Sequence, residues 1–282
     1  YYADTRKGRT YYFAGNPTDN WVRFGGFYWR IIRINEDGTI RMIYQGTDAN
    51  TTGTGTQIGT NTFSINSDTY DNNGYVAYMY TIGSVHGLGT NSGVKTVLDQ
   101  WYQNNLQSHA DKIEGNAGFC GDREPYSRNG VRGSYTYTSG GGTGTTQTYY
   151  GAYTRLETNN AANASPTFEC ENESDLYTTD GSSGGNGALT YPIGLITADE
   201  AAYAGGVNDS YNQSYYLYTG QDYLTMSSSY AVSASVYSVQ SNGRLYTLGV
   251  HAARGIRPVI NLKADVIISS GNGTSSQPYV IS

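Results

Sequence analysis

Charge is what this chain has least of. Acidic and basic side chains make up only 14% of it, against about a quarter in ordinary globular proteins. The net charge of −6, with 17 Lys and Arg scattered along the sequence, argues against nucleic acid as a partner, because phosphate binding needs a basic face. Long hydrophobic runs are absent as well, and nothing approaches the ~20 apolar residues that cross a bilayer. Tyr1-Tyr2-Ala3-Asp4 leads into polar sequence and not into a signal peptide. A secreted form is therefore expected to have lost its signal or anchor.

The groups that carry chemistry are equally scarce. His86, His109 and His251 show no ligand spacing with Cys120 or Cys170, so no zinc site is expected. Both His86, in Ser-Val-His-Gly, and His251, in Gly-Val-His-Ala, read as strand-end or turn residues. No Gly-x-Ser-x-Gly elbow surrounds a serine, and Gly140-Gly-Gly142 opens no helix behind a strand, as a phosphate loop would. Asp68, Asp71 and Asn72 read as a solvated loop before a cation site. Any two of the 23 acids could form a pair for glycoside cleavage. Helix capping explains Asp199 and Glu200, however, and a turn explains Asp175. The chain reads as non-catalytic, with no cofactor.

What is abundant is Gly (37) and Tyr (29), set among Ser, Thr, Asn and Gln. Disordered chains are charged and poor in aromatics, the reverse of this one. Tyr supplies apolar area, while its hydroxyl still needs a partner. The mixture fits an extracellular β protein with long ordered loops. The two cysteines are either buried free thiols or one disulfide across a Gly/Ser/Thr-rich loop. The disulfide is favoured, worth roughly 4 kcal/mol in the chain-entropy model, and with it an oxidising compartment.

Periodicity gives the outline. Trp21–Gly26, Phe27–Ile34 and Ile40–Tyr44 are aromatic and β-branched runs, and Asp37-Gly38 between the last two is a hairpin signal. Arg30, Arg33 and Arg41 interrupt the pattern and are expected to point outward or line an edge. Tyr75–Tyr80 is a further strand. Asn91-Ser92 offers a cap for a helix whose face is Val94, Val97, Leu98, Trp101, Tyr102 and Leu106, ending between Ser108 and Ile113. Thr197-Ala-Asp-Glu200 is a capping box opening a short second helix that Gly205 stops. Ser233–Val239 alternates, and Arg257–Leu262 reads as a core strand. Residues 46–74 and Gly133–Tyr150 read as loops inside one domain. Six Asn-x-Ser/Thr sequons, at Asn50, Asn163, Asn172, Asn208, Asn212 and Asn272, fall within the frequency expected of this composition.

Several of these stretches carry a resemblance. The run Tyr11–Asn35 is similar to a family of uncharacterised surface and pilin-like proteins of Gram-positive-related bacteria. Cys120-Gly-Asp-Arg123, Pro166-Thr-Phe-Glu-Cys170, Leu189–Glu200 and Gly255–Leu262 resemble the same family in the same order. The later part also resembles the C-type-lectin-like fold shared by formylglycine-generating enzymes. Tyr223–Ser229 matches the loop motif before the closing strands but lacks its proline. Cys120 and Cys170 do not show the close spacing of those enzymes' reactive pair.

The resemblance implies an α+β, β-rich fold: twisted antiparallel C-type-lectin-like sheets, two helices and long Gly/Ser/Thr/Tyr-rich loops. It also implies one domain over residues 1–282, whose N-terminal extension, about 1–14, mediates assembly. Tyr enrichment at interfaces makes a surface-filament or pilus-like subunit the leading reading, at the cell surface or secreted. Residues 1–14 or Gln277–Ser282 would serve as the exchanged strand. The alternative is a monomeric adhesin or lectin-like module binding glycan or a host or cell-surface protein. The contact surface is expected at Tyr135, Tyr137, Tyr149, Tyr150, Tyr211, Tyr215, Tyr216 and Tyr218. By contrast, Tyr11, Tyr12, Tyr28, Tyr75 and Tyr78 are expected in the core or on a sheet face.

Overall fold

A computed structural model describes residues 1–64, 77–80, 87–126, 149–157, 164–181, 185–229 and 234–282. The first strands are β1 (Tyr2–Thr5), β2 (Gly8–Tyr12), β3 (Trp21–Phe24), β4 (Phe27–Ile34) and β5 (Ile40–Gly46). Next come β6 (Gly59–Asn61), β7 (Met79–Tyr80), β8 (Thr90–Asn91) and helix α1 (Gly93–Asn105). The middle holds β9 (Phe119–Cys120), β10 (Pro125–Tyr126), β11 (Tyr149–Tyr150), α2 (Gly151–Leu156), β12 (Leu176–Tyr177) and α3 (Ala198–Ala204). The last third is strand: β13 (Tyr223–Ser228), β14 (Ser235–Val239), β15 (Leu245–Gly249), β16 (Arg254–Ile256), β17 (Val259–Leu262), β18 (Ile268–Ser270) and β19 (Tyr279–Ile281). The fold is thus mixed α+β and rich in strand.

The larger sheet is built on β4. One side of β4 pairs with β5, and β5 with β17. Its other side is shared end to end: Trp21–Phe24 of β3 lies beside Phe27–Arg30, and Tyr11 and Tyr12 of β2 beside Ile34 and Arg33. Outside β2 lies β1, while outside β3 lie β19 and then β18. Asp37-Gly38 makes the expected turn: Gly38 adopts φ +83 and Asn35 N–H bonds to Thr39 C=O at 2.8 Å. Gly25 and Gly26, at φ +59 and +84, turn β3 into β4, a doubly left-handed turn suited to strand twist. The smaller sheet runs β15-β14-β13-β16-β6.

The helical signals map onto α1 and α3. Ser92 accepts from Lys95 N–H at the start of α1, which ends at Asn105 and continues as a 3-10 turn over Gln107–Lys112. Thr197 and Glu200 form the capping box of α3, closed by Gly205. A third helix, α2, was not foreseen in the sequence.

The core overturns two expectations. Arg30 and Arg41 do not face outward; they are 5% and 2% exposed. Arg30 is sandwiched between Trp21 and Tyr216, 4.2 and 5.1 Å from the ring centres, with Nε on Asn20 Oδ1 at 2.7 Å and Nη2 on the Pro17 carbonyl at 2.9 Å. β14 does not alternate either, since all five residues are buried, as in a strand covered on both faces. Tyr11, expected in the core or on a sheet face, is on a face of the larger sheet and 53% exposed.

Tyrosine fills much of the interior, and three of the buried hydroxyls donate to a backbone carbonyl. Tyr78 donates to Ile193 at 3.1 Å, Tyr215 to Gly243 at 2.9 Å and Tyr223 to Leu217 at 2.8 Å. Each such bond satisfies a donor that burial would otherwise strand, and is worth about 1 kcal/mol net. Tyr75, His86, Asp68, Asp71 and Asn72 lie outside the described residues.

Candidate functional site

A cavity of about 290 Å³ lies where the β1–β2 turn, the end of β4, the Cys120–Cys170 disulfide and the first turn of α3 meet. The disulfide expected from the sequence is formed and lines this cavity. Leu176 of β12 pairs with Cys120 in register, so the bridge fastens residues 166–172 to the sheeted part of the chain. The hairpin turn closes the other side. Arg6 binds Glu169 through its backbone and guanidinium and donates to the Cys170 carbonyl at 3.2 Å. Lys7 lies 3.1 Å from Glu173, and Thr5 donates to Glu36 at 2.6 Å.

The cavity wall is held by two guanidinium–carboxylate clusters. Arg155 of α2 donates Nε to Asp199 Oδ1 at 2.6 Å. Its Nη2 is shared by Asp199 Oδ2 at 2.8 Å and Asp122 Oδ2 at 2.6 Å, and Glu171 stands 3.4 Å from Nη1. The second is centred on Glu200, which takes Arg41 at 2.6 Å and Arg33 at 3.1 Å. Arg41 also donates to the Gly118 and Leu195 carbonyls at 3.1 and 3.2 Å. Behind the wall Asp175 receives Arg123 Nε at 2.8 Å and Arg123 N–H at 2.5 Å. Asp175 is therefore a buried ion-pair partner and not merely a turn residue.

Two buried carboxylates on one guanidinium leave an excess negative charge, and the protonation states follow from that. Burial, reinforced by Asp199 and opposed by Arg155, pushes Asp122 up to about 7. Burial acts on Glu200 in the same sense, but Arg41 and Arg33 outweigh it and hold its carboxyl below the usual range. Asp122 also carries φ +54, a left-handed conformation that Asp tolerates better than most residues.

Asp122 and Asp199 are both committed to Arg155, and every other charged side chain on the wall has a partner within the chain. The arrangement joins α2, α3 and the disulfide loop. Among the described residues, no group of three His, Cys, Asp or Glu is placed to hold a metal ion.

The tyrosines singled out in the sequence separate. Tyr135 and Tyr137 lie outside the described residues. Tyr149, Tyr150, Tyr215 and Tyr216 are only 8%, 0%, 3% and 4% exposed, so their rings are structural and not available for outside contact. Tyr218 packs partly buried against the core. Of the six described, only Tyr211 is open, 72% exposed. It flanks Arg244, whose guanidinium lies 4.0 Å from the Tyr246 ring centre and 5.8 Å from that of Tyr211. Asp209 holds Arg244 at 2.8 Å.

A second exposed surface follows the margin of the larger sheet. Tyr2 pairs with Tyr11, Tyr11 with Ile34 and Ile34 with Ile40. Residues directly opposite share a face, and Tyr2, Tyr11 and Ile34 are 57%, 53% and 37% exposed. Ile267 and Ile268, at the start of β18, are 67% and 49% exposed. Sequence reasoning missed this margin, and it also missed Arg155, Asp122 and Arg41. Their only local signal was polar residues interrupting an apolar pattern. No helix among the described residues is long and apolar enough to cross a membrane. Compared with known proteins, the chain matches no family model, and no curated protein or solved structure matches it significantly.

Proposed function

We propose that this chain is a non-catalytic extracellular structural protein, a subunit that associates with copies of itself in a filament or surface layer on a C-type-lectin-like scaffold. One observation carries the reading. The larger sheet keeps bare, apolar margins at β1 and β18, with Tyr1, Tyr2, Tyr11, Ile267 and Ile268 all at least 49% exposed. An unpaired strand edge flanked by exposed apolar side chains is a template for another chain. The non-catalytic part is supported by the cavity, whose carboxylates are all engaged by partners of the same chain. The extracellular part is supported by the disulfide, which persists in oxidising compartments.

Sedimentation velocity over a wide concentration range, with negative-stain imaging of the native surface, tests the reading. Species that grow with concentration are expected. A sharp monomer at every concentration, with no polymer on native cells, would overturn it. The second reading is an adhesin or lectin-like module, favoured by the exposed Tyr211–Arg244–Tyr246 stack, since sugar rings pack on such faces. Binding to a glycan array that Tyr211→Ala and Tyr246→Ala abolish is its expected result, and a blank array sinks it.

A further inference from the structure

The two bare margins differ in kind, and we infer that the β1 edge of one copy pairs with the β18 edge of the next, a contact that rests on the self-association proposed above. Tyr12 N–H bonds to the Tyr1 carbonyl at 3.0 Å, which sets the alternation along the first hairpin. Ala3 exchanges its backbone groups with Thr10, while Tyr2 and Asp4 turn theirs outward. Among the described residues only β2 pairs with β1, and only β19 with β18.

The β18 margin lacks charge. Residues 266–282 contain no Lys, Arg, Asp or Glu, and all three residues of β18 are exposed. Ile267 and Ile268 are adjacent, so they face opposite sides of the strand. Natural edges are guarded by charge, proline, cover, short strands or bulges. β18 is short and has a register shift between Ile268 and Ser270, but it has neither charge nor a covering element among the described residues. The β1 margin carries one acid, Asp4, already neutralised by Arg9 at 2.8 Å. An uncharged strand laid along β1 therefore meets no unpaired charge and sets isoleucine beside Tyr2, a favourable cross-strand pair.

The partner is a second copy because only this chain brings both halves. Pairing β1 with β1 leaves β18 bare, and the reverse leaves β1 bare; the mixed contact covers both. It is heterologous, so it repeats without closing and builds a line of subunits. Exchange of the C-terminal strand is a poorer route, because β19 is held on both sides, by β3 and by β18.

Two blocked chains test this. Tyr2→Pro removes an outward N–H at β1, with Tyr2→Lys as a second version, and Ile267→Lys with Ile268→Lys guards β18. All three positions are exposed, and far-UV circular dichroism with thermal unfolding checks that each chain folds like the wild type. By sedimentation each blocked chain alone is expected to be monomeric, while their mixture forms a one-to-one dimer and nothing larger. If the wild type assembles and both blocked chains assemble equally well, the β1–β18 contact is wrong and self-association stands. If one blocked chain still dimerises alone, the contact is isologous and the inference fails. A wild type that stays monomeric overturns both.

Discussion

The two sheets end differently. In the smaller sheet each edge is met by another part of the chain at one end. Asn61 of β6 donates to the Gly93 carbonyl of α1 at 3.2 Å. At β15 the Leu245 N–H and carbonyl are taken by Val207 and Asp209, with the Arg244–Asp209 pair alongside. In the larger sheet no described element covers β1 or β18; β1 carries only the Asp4–Arg9 pair, and β18 is short and irregular in register but uncharged. The difference teaches where partners can attach: backbone groups left over in a finished fold are an offer to another chain. It also separates two uses of polarity. The interior around Arg155 is dense in charges that pair within the chain, whereas residues 266–282 around β18 contain no charged side chain.

That contrast can be broken from the inside first. Arg155→Ala leaves Asp122 and Asp199 buried without their guanidinium, and urea unfolding is expected to report a loss of about 3–5 kcal/mol. A loss under about 1 kcal/mol would show that the cluster is not a structural centre. Replacing both Cys120 and Cys170, which lie 50 residues apart, is expected to cost roughly 4 kcal/mol and to leave association of the folded fraction unchanged. Association lost together with the bridge, in a chain that still folds, would tie the two regions together and contradict their separation.

The next effect depends on pH. Asp122 moves from 3.8 to about 7 on folding, so its proton is retained in the folded chain and released from the unfolded one. Its contribution is therefore fully present below about pH 4 and is lost as pH rises to about 7. Against Asp122→Asn, the wild type should lose roughly 2–4 kcal/mol across that window. Glu200, held low by Arg41 and Arg33, acts in the opposite direction but equally in both chains. Parallel stability profiles for the two would remove Asp122 as the protonated member.

Local signals were legible in the sequence, and long-range ones were not. The Asp37-Gly38 turn, the Ser92 cap and the Thr197/Glu200 capping box depend on a few adjacent residues, and each stands where the sequence put it. Arg30 and Arg41 looked outward because charge normally does. Their partners Tyr216 and Glu200 come from far along the chain, and no pattern in the strand announces them. The buried Tyr215 and Tyr216 misled for a related reason. They sit among Asn, Gln and Ser, a solvent-loop composition, yet the Tyr215 hydroxyl finds the Gly243 carbonyl. The missing charge over residues 266–282 was visible, but its meaning needed the topology that makes β18 an edge.

The smallest effect on stability belongs to the largest effect on association. Ile267→Lys with Ile268→Lys alters two exposed side chains, so stability should stay within about 0.5 kcal/mol. Sedimentation equilibrium of this variant beside the wild type tests the account most directly. The wild type is expected to gain mass with concentration, and the variant to associate at least about tenfold more weakly, a difference of some 1.4 kcal/mol. A wild type that remains monomeric throughout, or a variant that assembles as well as its parent, would contradict it.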